Sequence, residues 1–159
     1  MLFPAQSLLW LGAALYFAFA ALLSFIDYRT LHLPDKLTLS LLWLGLLFHT
    51  ALYPAALPGA IFGAVAGYLS LWTIHWIFFW VTNRQGIGYG DFKLLAAVGA
   101  WNGIAALPRV VTLASLAALA CFVGLYVAKQ YRLSGKIPFG PFLASAGWGE
   151  FIWQWLGES

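Results

Sequence analysis

Only five carboxylic acids occur in the 159 residues. Two of them, Asp27 and Asp91, stand at the edges of long apolar runs. Asp27 ends the first run, after Ser24-Phe25-Ile26, and Asp91 opens the fourth, after Gly86-Ile87-Gly88-Tyr89-Gly90. A carboxylate near a bilayer is costly, so an acid at a span end needs a reason. The plain reason is interfacial water, or a pairing with a neighbour such as Arg29 or Lys93. The chemical reason needs both aspartates together. Two carboxyl groups about 3 to 5 Å apart cannot both ionise cheaply, so they share a proton and titrate as a unit. The ionised member takes a proton from water while the protonated member polarises a carbonyl. Such a pair cleaves a peptide bond with no metal, no cofactor and no serine or cysteine nucleophile.

The surrounding residues fit that chemistry. Gly86, Gly88 and Gly90 free the backbone before Asp91 from side-chain sterics, and an unwound segment there lets a substrate strand approach. An ordinary flexible loop is the other reading. Asp35, in Leu33-Pro34-Asp35-Lys36-Leu37-Thr38, stands just before an apolar run and suits an N-cap. Asp27 has no such capping to do, because it lies at a helix C-terminus, where the dipole disfavours an anion. An acid in an unfavourable place points to function more than one in a favourable place. Pro138 and Pro141 interrupt the start of the last run. They set its entry angle, or, with Gly140, they form a wall of the site and hold the substrate strand.

The elements that position these residues are membrane helices. The chain is 63% hydrophobic and only 8% charged, against about 25% charged in an ordinary soluble domain. Apolar runs fall at 4–26, 37–53, 59–82, 93–107, 110–127 and 139–156. They predict an all-α integral membrane protein of about six transmembrane helices, one domain over residues 1–159. The break between the fourth and fifth runs rests on Leu107-Pro108-Arg109. The N-terminal run lacks a basic flank and exceeds a signal-peptide core, so it is expected to be a retained span. Arg29, Lys36, Arg84, Lys93, Lys129, Arg132 and Lys136 fall in or beside odd-numbered loops, and only Arg109 in an even one. The positive-inside rule then makes the side holding Asp27, Asp35 and Asp91 cytoplasmic. Glycine at 59, 63 and 67 gives the third run a smooth face for close packing. Trp72, Trp76 and Trp80, also four apart, are expected to meet lipid and neighbouring helices. No basic, aromatic-interleaved surface suits nucleic acid. The single Cys121 excludes an internal disulfide and a CxxC zinc site.

Three stretches together resemble the bacterial type 4 prepilin peptidases: Ile26-Asp27 with Leu33-Pro34-Asp35-Lys36-Leu37-Thr38, Gly86 to Ala97, and Ile137-Pro138-Phe139-Gly140-Pro141-Phe142. The resemblance runs from about residue 20 to 145 and is nearest to the short, HopD-like leader peptidases of enteric bacteria. It implies a GxGD aspartic endopeptidase of the bacterial inner membrane, multi-pass, with its site facing the cytoplasm. Its substrates would be prepilins and type II secretion pseudopilins, cut after the short basic leader. Asp27 and Asp91 match the family's catalytic pair. Asp35, Gly86, Gly88, Tyr89, Gly90, Lys93, Pro138, Gly140 and Pro141 fall in supporting or substrate-binding motifs. Full-length members carry a zinc-binding pair of CxxC motifs and methylate the product; the expectation here is peptidase chemistry without zinc or methyl transfer. Two rivals stay open: a non-catalytic assembly factor that binds prepilins, and a transport path, for which intramembrane His49, His75, Asn102 and Glu150 form no visible series.

Overall fold

The computed structural model describes residues 3–129 and 137–157. Arg132 and Lys136, which enter the count of basic residues, lie outside the described residues. Among the described residues six α-helices follow one another: α1 (Phe3–Thr30), α2 (Asp35–Leu52), α3 (Leu57–Thr82), α4 (Tyr89–Asn102), α5 (Leu107–Val127) and α6 (Gly140–Leu156). Short 3-10 turns at Pro54–Ala56 and Ile104–Ala106 lead into α3 and α5. No strand occurs among the described residues, as the non-alternating apolar runs require.

The six helices follow the six apolar runs, with shifted ends. Three stretches, Ala5–Thr30, Pro54–Thr82 and Ile104–Val127, are long and apolar enough to cross a membrane by themselves. The helix α4 has 14 residues, roughly 21 Å of rise, short of a hydrocarbon core of about 30 Å. It compensates by burial in protein: every residue from Leu94 to Asn102 is buried. The fourth run ends at Asn102 rather than 107, because Gly103 takes φ +80, a conformation that suits glycine. The fifth helix starts at Leu107, with Pro108 in its first turn, where its missing N–H would have had no helical partner.

The helix α4 packs mainly on α3 and α2, and α6 fits against α1, α5 and α4. Gly63 and Gly99 meet backbone to backbone, and Gly67 rests on the Leu95 carbonyl. A side chain at any of these would drive α3 from α4. Gly59, the third member of the spaced set, has open space beside it. Trp72 and Trp80 are exposed, on a face suited to lipid. At the ends of the helices away from Asp27 and Asp91, Trp101 stacks on Tyr16 at 4.8 Å between centroids and donates Nε1–H to the Leu41 carbonyl at 2.8 Å. Asn102 donates to the Val98 and Gly147 carbonyls at 3.1 and 3.0 Å. This aromatic and amide cluster ties α1, α2, α4 and α6 together, which fixes the frame that carries the aspartates.

Candidate active site

The helix α1 runs through Asp27 to Thr30, so Asp27 lies in its last turn, and its carbonyl accepts the Leu31 N–H at 2.8 Å. Leu31 itself takes φ +53, uncommon for leucine, and turns the chain toward Pro34. The Asp27 side chain is only 6% exposed. Its Oδ2 accepts the backbone N–H of Gly140 at 2.9 Å. Gly140 is the first residue of α6, so Asp27 does have a capping partner, contrary to the sequence-based expectation. It serves the N-terminus of another helix, far along the chain. The positive end of α6 meets the acid that the end of α1 disfavours.

Gly140 also gives the reason for its own residue type. A Cβ built there would stand 2.6 Å from Asp27 Oδ2. Pro141 follows in the first turn of α6, where it has no helical hydrogen bond to lose.

Asp91 lies in the first turn of α4. Residues 83–88 before it form no helix, the irregular segment that the glycines foreshadow. A cavity of about 690 Å³ is lined by Asp27 and Asp91 together, with Leu31, Gln85, Gly86, Ile87, Gly88, Ile137, Pro138 and Phe139 around its polar end. Leu71 and Ile74 of α3, Leu95 of α4, Val111 and Ser115 of α5, and Leu143 of α6 extend the cavity into the bundle.

The remaining candidates divide. Gly86 and Gly88 line the cavity, while Gly90 is inside α4, where a Cβ would press on Leu33 at 2.8 Å. Pro138 lines the cavity; Pro141 does not. Tyr89 is outside the lining and packs its ring on His75 and Phe92. Lys93 pairs neither with Asp91 nor with Asp27. Its Nζ lies 2.6 Å from Asp35 Oδ2, a link from α4 to the start of α2. Asp35 is thus not the expected N-cap. Pro34 occupies that position with an extended backbone, no side chain caps it, and Asp35 is the first helical residue. A carboxylate there still meets the favourable end of the helix dipole. His75 is buried, and its Nδ1 finds no hydrogen-bond partner among the described residues.

Sequence reasoning did not single out Gln85, Val111 or Ser115. Ser115 carries the one available hint, a hydroxyl in an apolar stretch of α5.

The profile of the type IV leader peptidase family matches residues 14–123. The chain is 48% identical over 131 residues to the prepilin leader peptidase/N-methyltransferase of Aeromonas hydrophila, covering 82% of this chain and 45% of that protein. It is 49% identical over 130 residues to the prepilin leader peptidase/N-methyltransferase of Escherichia coli (strain K12), covering 82% and 57%. It is 44% identical over 142 residues to the leader peptidase HopD of Escherichia coli, covering 89% and 90%. The chain spans about half the length of the prepilin leader peptidase/N-methyltransferases it matches. No solved structure matches the chain at a significant level. By the extent of the profile match and by its likeness across nearly all of the short relative, the chain belongs to the type IV leader peptidase family.

Proposed function

We propose that the chain is an aspartic endopeptidase that removes the short basic leader from prepilins and pseudopilins, with Asp27 and Asp91 as the catalytic pair. The observation that carries this reading is the single cavity lined by both carboxyl groups, one from the end of α1 and one from the start of α4. The names of the relatives supply the substrate class. Peptide-bond hydrolysis then runs without a covalent intermediate. The ionised aspartate takes a proton from a water held between the pair, and the resulting hydroxide attacks the carbonyl carbon. The protonated aspartate hydrogen-bonds the carbonyl oxygen as negative charge builds there. Collapse of the tetrahedral intermediate breaks the C–N bond, and the leaving nitrogen takes up a proton from the pair. Gly140 N–H holds Asp27 in one orientation throughout.

The setting is the cytoplasmic side of a bacterial inner membrane. The basic residues gathered at the aspartate-bearing end support that orientation. A prepilin-type substrate presents an apolar helix to the bilayer and a basic leader to the same side. The Asp35–Lys93 pair, with Lys93 half-shielded and Asp35 largely exposed, supports the position of the first turn of α4.

Cleavage of a prepilin-type substrate in membranes, read as a mobility shift, tests the reading. Asp27→Asn and Asp91→Asn are expected to abolish the shift at matched expression, and Asp35→Asn to retain it. Retained cleavage in either of the first two variants defeats the dyad. Binding of substrate by the intact chain without any cutting favours a non-catalytic assembly factor.

A further inference from the structure

The apolar half of the cavity has an unusual border. The helix α5 is held mainly by α6 and by the turn before it, and it hardly touches α3. Only Leu107, Val110 and Ala114 of α5 are buried. From Ser115 to Val127 no residue is buried, although this is the half that returns toward the aspartates. The facing half of α3 is similarly open, with Ile74 and Ile77 more than half exposed. The turn at Gly103 and Ile104 packs on α3 at Gly63, and beyond that turn α3 and α5 leave a lateral slot beside the dyad. Leu71 and Ile74 stand on one wall, Val111 and Ser115 on the other, and Leu95 forms the floor.

We infer that this slot between α3 and α5 receives the apolar helix of the substrate from the bilayer, with Ile74 and Ser115 contacting its first turn beyond the cut bond. The inference rests on the peptidase reading of the cavity. The slot is continuous with the space lined by Asp27 and Asp91, so an occupant meets an apolar wall first and two carboxyl groups at its end. That order matches a peptide whose apolar helix adjoins the cleaved amide. A lipid tail fills the apolar part but gains nothing from the carboxyl groups. The unburied stretch of α5 spans roughly 20 Å at the helical rise, enough to lie along about four turns of a partner helix. Ser115 supplies a hydroxyl for a backbone carbonyl freed where the substrate helix unwinds.

Cysteine cross-linking tests the slot. Cys121→Ser first removes the native thiol. Ile74→Cys or Ser115→Cys is then combined with Asp91→Asn, which holds the substrate uncut. The probe is a membrane-inserted prepilin-type peptide with a basic leader, an apolar helix and a single cysteine in the first turn after the cleavage point. Copper phenanthroline supplies the oxidant. Trp43→Cys on α2 and Phe62→Cys on α3, both exposed, serve as controls. A disulfide-linked product is expected from positions 74 and 115, with only background from 43 and 62, since a disulfide needs Cα atoms within about 7 Å. Cross-linking at 43 or 62 with none at 74 and 115 overturns the slot, as does no product at any position. Cleavage of the same probe by the chain with Asp91 intact is scored in parallel. Its failure removes the peptidase reading, whereas cleavage without slot cross-links removes only this inference.

Discussion

Replacing Gly140 by alanine tests the link between α6 and Asp27 most directly. The added Cβ would lie 2.6 Å from Asp27 Oδ2 and 3.0 Å from its Cγ, where ordinary contact begins at 3.4 Å. The carboxyl group must retreat by roughly 0.8 Å, or the start of α6 must shift by as much. Either movement bends or breaks the 2.9 Å bond from the Gly140 N–H. Displacement of a catalytic group by about 1 Å costs on the order of 100-fold in rate, equivalent to roughly 2.7 kcal/mol of barrier. Alanine is the better helix former by up to about 1 kcal/mol, so fold stability is not expected to suffer in proportion. The expected result for Gly140→Ala is a fall of about 100-fold in kcat for a prepilin-type substrate, with KM and melting temperature little changed. Gly149→Ala, on the same helix with open space beside it, is the control and should cleave normally. Activity of Gly140→Ala within about threefold of the parent, less than 1 kcal/mol of barrier, would refute the claim that α6 positions Asp27.

Other outcomes follow from the same contacts. The pH profile of cleavage is expected to be bell-shaped, with both limbs belonging to the carboxyl pair; a profile with no acid limb and no alkaline limb that either Asp27→Asn or Asp91→Asn removes would speak against a shared proton. A double-mutant cycle over Asp35→Asn and Lys93→Met should give a coupling of at most about 1 kcal/mol, because the pair is partly exposed. A much larger coupling would mean a more direct part in catalysis. Among the described residues, Arg109→Ala leaves the buried Glu150 with only Gln154 beside it. The exposure of Arg109 discounts the loss to about 1–2 kcal/mol, or roughly 3–6 °C in melting temperature; an unchanged melting temperature would show the pair to be dispensable. Gly99→Val pushes α3 off α4 and should leave little folded protein, whereas Gly124→Ala, with nothing near it, should accumulate normally. Equal yields from the two would contradict the close helix contact.

The sequence by itself determined the all-helical class, the order of the six helices and the family. Apolar run length and the shortage of charge leave little choice once each backbone polar group must find a partner inside its own segment. It also placed Asp27 and Asp91 at the ends of such runs and foreshadowed the irregular segment before Asp91. Helix ends were less legible, as at Asn102, where a single glycine with positive φ stops α4 inside an apolar run. Partnerships between distant residues were not legible at all. Asp27 looked uncapped because its donor, Gly140, belongs to a helix more than a hundred residues later. Asp35 looked like a cap because local spacing cannot show that Lys93 stands opposite. The slot between α3 and α5 has no local signature, since an apolar face turned to a partner and one turned to lipid carry the same residue types. Only tertiary packing decides which apolar faces close and which stay open, and here it leaves one open beside the two carboxyl groups.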